Sequence, residues 1–341
     1  MRSSMLQKDV ILLLKDVTGE IKVENMEERE KKIECGVNAY EMIPMEEAPT
    51  VDEICFYEKA LELSAEENAL AVENVAERIY EEKGKDVVLV SLIRGGLAAG
   101  ILVKRYLDSK YHINISHYAL TLVGTKGIDE KALEYILEKE NAEEIQFIDG
   151  WTGKGSVSRT LAKSLMKYNN VSSDLAVLSD PAGISRICGT HNDILIANAV
   201  LNAPLAGLLS RAIPFEDSFF GAVFFEELSE YDRTYHFISK IEECFGISND
   251  TFVESELSDI DEAQNIAAEF GIDIHFVKPG IGETIRGFIR KKPDLILVKK
   301  ESKYYELISE MARKNNVEAR EYPLVKYNAC GIYLDKNSDV L

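Results

Sequence analysis

The feature that most constrains the fold is a regular alternation of apolar, strand-like runs and helix-like segments between residues 86 and 179. Runs such as "DVVLVSLI" and "EIQFI" each lead through a glycine-containing loop into a segment with helical periodicity. Strands that alternate with helices form right-handed βαβ units around a parallel sheet. The sequence therefore predicts an α/β fold whose parallel sheet is covered by helices on both faces.

The predicted domains follow from the chain length and from where this alternation starts and stops. A chain of 341 residues, 46% hydrophobic and 29% charged, suits two or three domains of a soluble globular protein. We predict an N-terminal helical segment over residues 1–84, an α/β domain over 85–248 and a C-terminal α/β/α domain over 249–341. Within the first segment, Ser64 and Glu67 predict the capping box of a helix that ends at Gly84.

The sequence lacks the usual signals for membrane insertion, export and disulfide formation. The longest mostly apolar run, "ILIANAVLNAPLAGLL", is interrupted before the ~20 residues that a membrane span needs. The N-terminus has no apolar core of a secretion signal. The five cysteines are scattered, odd in number and without a CxxC pair, which argues against disulfides and structural zinc. We therefore expect a cytoplasmic protein with free thiols.

The formal net charge of −20 opposes general binding to nucleic acid, because an acidic chain repels polyanions. Any RNA site must therefore be local. The clear basic patch lies between residues 278 and 300, where only Glu283 and Asp294 are acidic. Its basic residues are Lys278, Arg286, Arg290, Lys291, Lys292, Lys299 and Lys300.

Two strand ends carry glycine-rich loops at which an anion could bind. In "VSLIRGGLAAG", Gly95 and Gly96 let backbone amides approach a ligand at the start of a helix, and Arg94 adds charge. In "FIDGWTGKGS", glycines permit a nest beside Asp149, whose carboxylate can hold ribose hydroxyls or the waters of a metal. Ligands of parallel sheets bind at these strand ends, but each loop alone is equally well explained as an ordinary turn.

Neither loop matches a common nucleotide fingerprint. The GxxxxGK[ST] pattern needs serine or threonine directly after its lysine, whereas Gly155 follows Lys154. No GxGxxG follows the first strand, so the dinucleotide-binding pattern is absent as well.

The order of these elements resembles the core of the type I phosphoribosyltransferases. A strand, "RGG" and a helix are followed by a strand with "TLVGTKGID", and then by a strand, "IDGWTGKGS" and a helix. The resemblance implies a phosphoribosyltransferase-like core in which the first loop takes pyrophosphate, the second segment closes, and the third loop holds ribose 5-phosphate. It assigns substrate contacts to Arg94, Gly95, Gly96, Lys126, Asp149, Thr152, Gly153, Lys154, Gly155 and Ser156, with catalytic roles for Arg94 and Asp149.

The same resemblance implies a ligand and a cofactor. The expected ligand is phosphoribosyl pyrophosphate or a nucleotide, and Mg²⁺ would arrive with it near Asp149 rather than bind protein ligands directly. Asp180, at the end of the fourth strand, is a further catalytic candidate near the base, or a turn aspartate. Gly150 replaces the second acidic residue of the usual loop, so a catalytically inactive nucleotide sensor is an alternative.

A closer resemblance covers nearly the whole chain. "GWTGKGS", "SDPAG", "LNAPLAGLLSR" and the C-terminal module resemble a bacterial two-domain family of tellurite-resistance stress operons, described as a phosphoribosyltransferase domain followed by a Pelota-type RNA-binding domain. That family also carries the label cysteine protease StiP. For this alternative, "ICGTHND" offers Cys188 and His191, followed by Asp193. Nucleophile and base usually come from separate elements, and Cys188 also suits a core position.

The C-terminal segment "GIGETIRGFIRKKPDLILVKK" resembles the Pelota and kink-turn-binding ribosomal protein superfamily, in which a helix opened by this segment enters the RNA. Free amides at a helix N-terminus and nearby basic residues both favour phosphate. A solvated lysine face on a protein-docking domain is the alternative. The resemblance assigns RNA contacts to Gly282, Glu283, Thr284, Arg286, Arg290, Lys291 and Lys292.

Together these features predict Mg²⁺-assisted transfer of a phosphoribosyl group to or from a base-like acceptor, coupled to binding of structured RNA in a stress response. A cysteine protease of the StiP type is the alternative. One aromatic run could stack a base, but such runs are more typical of a core or of a contact in a homo-oligomer. It comprises Phe219, Phe220, Phe224 and Phe225.

Overall fold

A computed structural model describes residues 1–38, 41–124, 126–215, 217–247 and 261–334. The strands are β1 (Ile11–Leu12), β2 (Lys15–Asp16), β3 (Val23–Glu24), β4 (Ile43–Pro44), β5 (Val88–Ile93), β6 (Ser116–Val123), β7 (Gly127–Ile128), β8 (Ile145–Trp151), β9 (Leu175–Ser179), β10 (Cys188–Thr190), β11 (Gly221–Ala222), β12 (Val277–Pro279), β13 (Leu295–Val298), β14 (Glu318–Glu321) and β15 (Ala329–Ile332). The helices are α1 (Met26–Glu34), α2 (Val51–Lys83), α3 (Gly96–Tyr111), α4 (Glu130–Leu137), α5 (Ser156–Leu165), α6 (Thr234–Glu242), α7 (Glu262–Phe270), α8 (Ile281–Arg290) and α9 (Tyr305–Lys314). Among these residues, none of the helices combines the length and the apolar character needed to span a bilayer.

The main sheet confirms the predicted α/β architecture. Its strand order is β1-β6-β5-β8-β9-β10, and each neighbouring pair along this order is parallel. Strand β7 pairs antiparallel with β6 and forms a short hairpin. Because the strands are parallel, the carboxyl ends of β5, β8, β9 and β10 meet at the same edge of the sheet, where ligands of such folds bind.

Side chains of the central strands alternate between two cores, one on each face of the sheet. In β5, Leu89 joins the core beneath α2 and α3, whereas Val88, Val90 and Leu92 join the core beneath α4 and α5. A strand that is buried on both faces needs apolar residues at successive positions. This explains why "DVVLVSLI" is a continuous apolar run.

The N-terminal segment differs from its prediction as purely helical. Short strands precede α2, and β1 is hydrogen-bonded into the main sheet beside β6. Helix α2 begins at Val51 rather than at Ser64, because Thr50 and Glu53 form the capping box. The Ser64 hydroxyl instead donates to a backbone carbonyl one turn earlier in the same helix. The predicted end of the helix is confirmed, since Gly84 caps α2 with a φ of +71°.

The C-terminal domain is a smaller sheet in the order β12-β15-β13-β14, with α7, α8 and α9 packed around it. Its predicted start at residue 249 lies outside the described residues. The domain docks on α2 through Tyr304, whose hydroxyl donates to Glu67 at 2.6 Å and accepts from the N–H of Leu195 at 3.2 Å. Gly282 of α8 packs against the ring of Trp151. The domain therefore covers the carboxyl end of β8.

The aromatic run belongs to the core, which was one of its two predicted interpretations. Phe220 and Phe225 are 7% and 1% exposed. The ring of Phe219 packs edge-on against Tyr135, with 5.9 Å between the ring centroids. These side chains therefore fill space between elements rather than line a base site.

Candidate functional site

The two glycine-rich loops meet at the carboxyl edge of the main sheet. A Cβ atom placed on Gly95 would lie 2.6 Å from Oδ1 of Asp149, and one on Gly96 would collide with the carbonyl oxygen of Ile148. Any larger residue at either position would push the β5 loop away from β8. The structure thus brings Arg94, Gly95, Gly96 and Asp149 together, as the strand order of a parallel sheet requires.

Asp149 is held in a desolvated position at this meeting point. Its carboxylate accepts from the N–H of Gly150 at 2.8 Å. Burial raises the pKa of the Asp149 carboxyl to about 6, against the opposing effects of the Gly150 N–H and the positive charge of Arg286. A carboxyl that titrates near neutral pH can accept or hold a proton in this place.

The guanidinium group of Arg94 is already engaged by the protein. It pairs with the carboxylate of Glu46 at 2.5 Å and donates to the carbonyl oxygen of Leu209 at 2.9 Å. Glu46 also accepts from the N–H of Ala203 at 2.7 Å. Glu46 and the segment over residues 203–209 therefore fix Arg94 at the edge of the sheet.

The remaining residues of the "GWTGKGS" loop contact different parts of the protein. Lys154 donates to the carbonyl oxygens of Ile274 and Val277 in the C-terminal domain, at 2.7 and 2.9 Å. Burial and the nearby Lys278 lower the pKa of Lys154 to about 8. Gly153 lies beside the same domain, and Gly155 begins α5 with a φ of +72°. Ser156 and the exposed Lys126 line a groove along α5.

A second cluster consists of Asp180, which follows β9, Cys188, which begins β10, and His191, which follows β10. The Sγ atom of Cys188 is 3.8 Å from Nδ1 and 3.7 Å from Nε2 of His191. Nδ1 of His191 lies 3.1 Å from the carbonyl oxygen of Asp180 and 3.8 Å from its carboxylate. Since a carbonyl oxygen can only accept, the proton belongs on Nδ1, and Nε2 is the acceptor that faces the thiol.

Neighbouring residues place a positive charge near the thiol and fix the position of Asp180. Nη1 of Arg78 on α2 lies 3.8 Å from the Cys188 sulfur. Asp180 is fully buried, accepts from the Thr152 hydroxyl and from the N–H of Ser185, and burial raises the pKa of its carboxyl. Thr152 therefore links the loop that begins at Asp149 to the cysteine cluster.

The thiol of the cluster is buried, and the three side chains are close enough together to bind a metal ion. The Cys188 residue is 1% exposed, whereas the His191 side chain is 23% exposed. One ligand atom from each of Asp180, Cys188 and His191 lies within 4.8 Å of the others. Thiolate, imidazole and carboxylate are the ligand types of Zn²⁺ sites, so this cluster could also hold that ion.

Close packing of β10 against α2 keeps Cys188 in place. A Cβ atom on Gly189 would lie 2.5 Å from the carbonyl oxygen of Ala71 and 2.7 Å from that of Leu178. The side chain of Asn74 donates to the carbonyl oxygen of Gly189 at 3.1 Å. Only glycine allows the helix to approach the strand this closely, so Gly189 sets the position of the thiol.

The segment that contains the cysteine also anchors the C-terminal domain. Both carboxylate oxygens of Asp193 accept from the N–H of Ile281, at 2.9 and 3.1 Å, and one accepts from the N–H of Asn328 at 2.7 Å. Burial raises the pKa of the Asp193 carboxyl to about 7. Asp193 therefore caps α8 from the other domain.

Most of the residues predicted to bind RNA face the domain junction instead of open solvent. Gly282 packs on Trp151, and Thr284 is 1% exposed with its hydroxyl bonded to Gly280. The guanidinium of Arg286 lies over the Trp151 ring, 4.5 Å from its centroid, and 3.6 Å from Glu283. The exposed members of the predicted set are Arg290, Lys291 and Lys292.

Sequence reasoning missed Glu46, Arg78, Arg211 and Trp151 as neighbours of these sites. Trp151 directly follows the quoted "IDG", and Arg211 ends the quoted "LNAPLAGLLSR", so both lay within noticed segments. No pattern in the surrounding sequence marks Glu46 or Arg78 as a site residue. Only tertiary packing brings them to Arg94 and Cys188.

Comparison with known proteins shows which protein families the chain matches. Residues 3–242 match the family model described as tellurite-like stress resistance cysteine protease StiP. Residues 257–334 match the model of the PELOTA RNA binding domain. A protein of Acinetobacter baylyi, named cysteine protease StiP, is 29% identical over 299 residues, which cover 80% of this chain and 78% of that protein. The expected phosphoribosyltransferase family does not appear among these matches.

Proposed function

The chain belongs to the StiP family of tellurite-like stress resistance cysteine proteases, and we propose that it is a cysteine peptidase with Cys188 as its nucleophile. The observation that carries this proposal is the convergence of Cys188 in β10 with His191, which follows β10, and Asp180, which follows β9. A thiol, an imidazole that can accept its proton and a group that orients the imidazole are the parts that thiol proteolysis requires.

In the proposed reaction, Nε2 of His191 takes the thiol proton as the Cys188 sulfur attacks the carbonyl carbon of a peptide bond. Collapse of the adduct breaks the carbon–nitrogen bond, and His191 gives its proton to the departing amine. Water then attacks the thioester while His191 accepts a proton, which releases the acid and restores the thiol. Asp180 holds the histidine tautomer, and Arg78 supplies positive charge beside the sulfur.

Access to the sulfur is part of this proposal. Cys188 is 1% exposed, so a peptide reaches it only when the cover over the thiol moves. His191 is the more exposed partner and forms the solvent side of the cluster. A small alkylating reagent should therefore react with Cys188 faster than a bulky one of the same chemistry.

The test is cleavage of unfolded protein substrates and of a mixed fluorogenic peptide library by the purified full-length chain. Cys188→Ala should abolish cleavage, because it removes the proposed nucleophile. Cys55→Ala, which removes an exposed thiol from α2, should leave the rate unchanged. Cleavage that survives Cys188→Ala would refute the proposal.

A second function, binding of phosphoribosyl pyrophosphate or a nucleotide, is favoured by the meeting of the Gly95 loop with Asp149. In this proposal Asp149 would hold ribose hydroxyls, and the chain would transfer a phosphoribosyl group or act as an inactive sensor. The residues near Asp149 do not fit a resident Mg²⁺, because the charges that act on Asp149 are the positive one of Arg286 and that of a single further carboxylate, Glu283. Any Mg²⁺ would come with the pyrophosphate.

Isothermal titration of phosphoribosyl pyrophosphate into the wild type and Asp149→Asn tests this second function. Binding that the variant loses would support it. Equal heats in the two proteins would remove Asp149 from the site, and no heat in the wild type would remove the function.

RNA binding by the C-terminal domain is a third element of the proposal, supported by the match of residues 257–334. Lys291 and Lys292 are the exposed basic residues that could contact phosphates. If Lys291→Gln and Lys292→Gln leave the affinity for structured RNA unchanged, this face does not bind RNA.

All five cysteines are free thiols, which is consistent with a proposed cytoplasmic setting.

A further inference from the structure

The cysteine cluster brings three different metal-ligating groups to one place in the fold. The carboxylate of Asp180, the thiol of Cys188 and the imidazole of His191 each offer one atom, and these atoms lie within 4.8 Å of one another. Carboxylate oxygen, sulfur and imidazole nitrogen are the atoms with which proteins bind Zn²⁺. The question is whether their geometry, their neighbours and their charge also suit that ion.

The sulfur and the imidazole already stand at the separation of two ligands on one ion. With bonds of about 2.3 Å to sulfur and about 2.0 Å to nitrogen, two ligands of a tetrahedral Zn²⁺ lie about 3.6 Å apart. The Sγ atom of Cys188 is 3.7 Å from Nε2 of His191. The carboxylate of Asp180 lies 3.8 Å from Nδ1 of the same ring. A small rotation of the ring or of the carboxylate therefore completes a set of three ligands.

The groups around the three ligands would hold them in the orientation that an ion needs. A histidine that binds metal usually donates its other ring N–H to a carbonyl or carboxylate oxygen, which fixes its tautomer. Nδ1 of His191 lies 3.1 Å from the carbonyl oxygen of Asp180, which leaves Nε2 for the ion. The carboxylate of Asp180 accepts from the Thr152 hydroxyl and from the N–H of Ser185, so it is oriented as well.

The charge of the cluster matches a divalent cation. The Asp180 carboxylate and the Cys188 thiolate supply two negative charges, and the imidazole binds metal in its neutral form. Both acidic groups are buried, and burial raises the pKa of the Asp180 carboxyl because a desolvated negative charge is unfavourable. Zn²⁺ would cancel both charges inside the protein. Arg78, whose Nη1 is 3.8 Å from the sulfur, favours the thiolate that the ion requires.

We propose that the cysteine cluster is a Zn²⁺ site, with Sγ of Cys188, Nε2 of His191 and a carboxylate oxygen of Asp180 as ligands and water in the fourth position. In the part of the chain that the structure describes, no further histidine, cysteine or acidic residue joins this group. The ion would enter past His191, whose side chain is 23% exposed. It would replace the thiol proton, which passes to the solvent as the sulfur–zinc bond forms.

A bound ion would switch off the proposed peptidase. It would occupy the electron pair with which the Cys188 sulfur attacks and the nitrogen of His191 that must accept the thiol proton. A chelator would remove the ion and restore the thiol. This consequence rests on the proposed function, whereas the ion site itself does not.

The test is a direct binding measurement on the purified full-length chain after removal of metal and full reduction of its thiols. Zn²⁺ is titrated against a chromophoric chelator that competes for it. Co²⁺ is titrated separately, because a cobalt–thiolate bond adds an intense near-ultraviolet absorption band. We expect one ion per chain, with release of about one proton from the thiol in a weakly buffered solution.

Variants identify the ligands. Cys188→Ser, His191→Gln and Asp180→Asn should each weaken Zn²⁺ binding by more than the roughly 10- to 100-fold that loss of an outer partner of a ligand causes. His191 is partly exposed, so its variant should disturb the fold least. Cys55→Ser and His275→Gln remove an exposed thiol and an exposed imidazole elsewhere, and both should bind as the wild type does.

Saturable binding of one ion, with a cobalt–thiolate band that Cys188→Ser and His191→Gln lose and the two control variants keep, supports the site. Absence of saturable binding, or equal weakening by the control variants, overturns it. Inhibition of peptide cleavage by one equivalent of Zn²⁺, reversed by a chelator, supports the switch, and full cleavage with the ion bound overturns the switch. If no cleavage occurs with or without metal, the peptidase proposal fails, while the binding measurement still decides the ion site.

Discussion

The cysteine cluster and the Asp149 site, which consists of Asp149, Gly95, Gly96 and Arg94, lie at the same edge of one sheet but differ in construction. Cys188, His191 and Asp180 come from one short stretch of chain, and the thiol is 1% exposed. The Asp149 site combines the loop after β5 with the end of β8, and its arginine is held by Glu46 from a third segment. A local cluster can be recognised within a short stretch of sequence, whereas a site built from two strand ends depends on the order of strands in the sheet.

The two sites are nevertheless connected by hydrogen bonds. Asp149 accepts from the N–H of Gly150, and Thr152 of the same loop donates to Asp180 in the cysteine cluster. Asp193, close after His191 in the chain, caps the helix that carries Arg286. A change in the docking of the C-terminal domain would therefore reach both sites.

The largest expected effect separates the two sites completely. His191→Gln removes the proposed base and should reduce peptide cleavage by about 10²- to 10⁴-fold, the usual contribution of a positioned base. Binding of phosphoribosyl pyrophosphate should stay unchanged, because His191 is not part of the Asp149 site. His275→Gln, at an exposed histidine of the C-terminal domain, is the matched control for both assays. Equal cleavage by His191→Gln and wild type would show that the histidine is only structural.

The second prediction tests whether the close packing of β10 against α2 keeps Cys188 buried. Gly189→Ala introduces a Cβ atom 2.5 Å from a carbonyl oxygen of α2 and should lower the free energy of unfolding by about 3 kcal/mol. Urea denaturation measures this change. Gly331→Ala in β15 meets only ordinary contacts of 3.7 Å or more and should cost far less. Similar losses in the two variants would mean that α2 can retreat from β10.

The third effect is a slope with pH and concerns Asp193, which links the cysteine segment to α8. Because the pKa of Asp193 is about 7 in the folded chain and near 4 when unfolded, its contribution to stability is present below about pH 4 and is lost as the pH rises towards 7. Wild-type unfolding free energy should therefore fall through this range by up to about 1.4 kcal/mol per pH unit more than that of Asp193→Asn.

Urea denaturation between pH 4.5 and pH 7 measures this slope. Glu138→Gln, at an exposed position of the helix end after α4, should leave the slope as in the wild type. Parallel slopes for wild type and Asp193→Asn would show that the carboxyl titrates normally.

Local patterns in the sequence were sufficient to predict the order of strands and helices. The runs that became β5, β6, β8 and β9 were all identified, because burial on both faces gives continuous apolar segments. The strand β10 was missed, since "CGT" is three residues long and contains a glycine chosen for close packing. The start of α2 was misplaced, because Ser64 and Glu67 imitate a cap that Thr50 and Glu53 form.

The sequence predicted only those contacts of the site that join loops after predicted strands of the sheet or residues close together in the chain. Asp149 and the Gly95 loop were expected to meet because both follow strands, and Cys188 was paired with His191 from sequence proximity. The contact between Asp180 and His191 depends on β10 lying beside β9, and the contact between Arg286 and Trp151 depends on domain docking. Neither arrangement leaves a local pattern.

The central claim is that Cys188 is an activated nucleophile despite its burial, and the most direct test is competitive labelling of the five thiols at pH 6. At this pH ordinary thiols are mostly protonated and react slowly with iodoacetamide. Peptide mass spectrometry over time ranks them, with Cys35 and Cys55 as exposed references and Cys330 as a buried thiol whose pKa desolvation raises. The account predicts that Cys188 is labelled first and that His191→Gln removes this advantage. Labelling of Cys35 and Cys55 ahead of an unreacted Cys188 would contradict it.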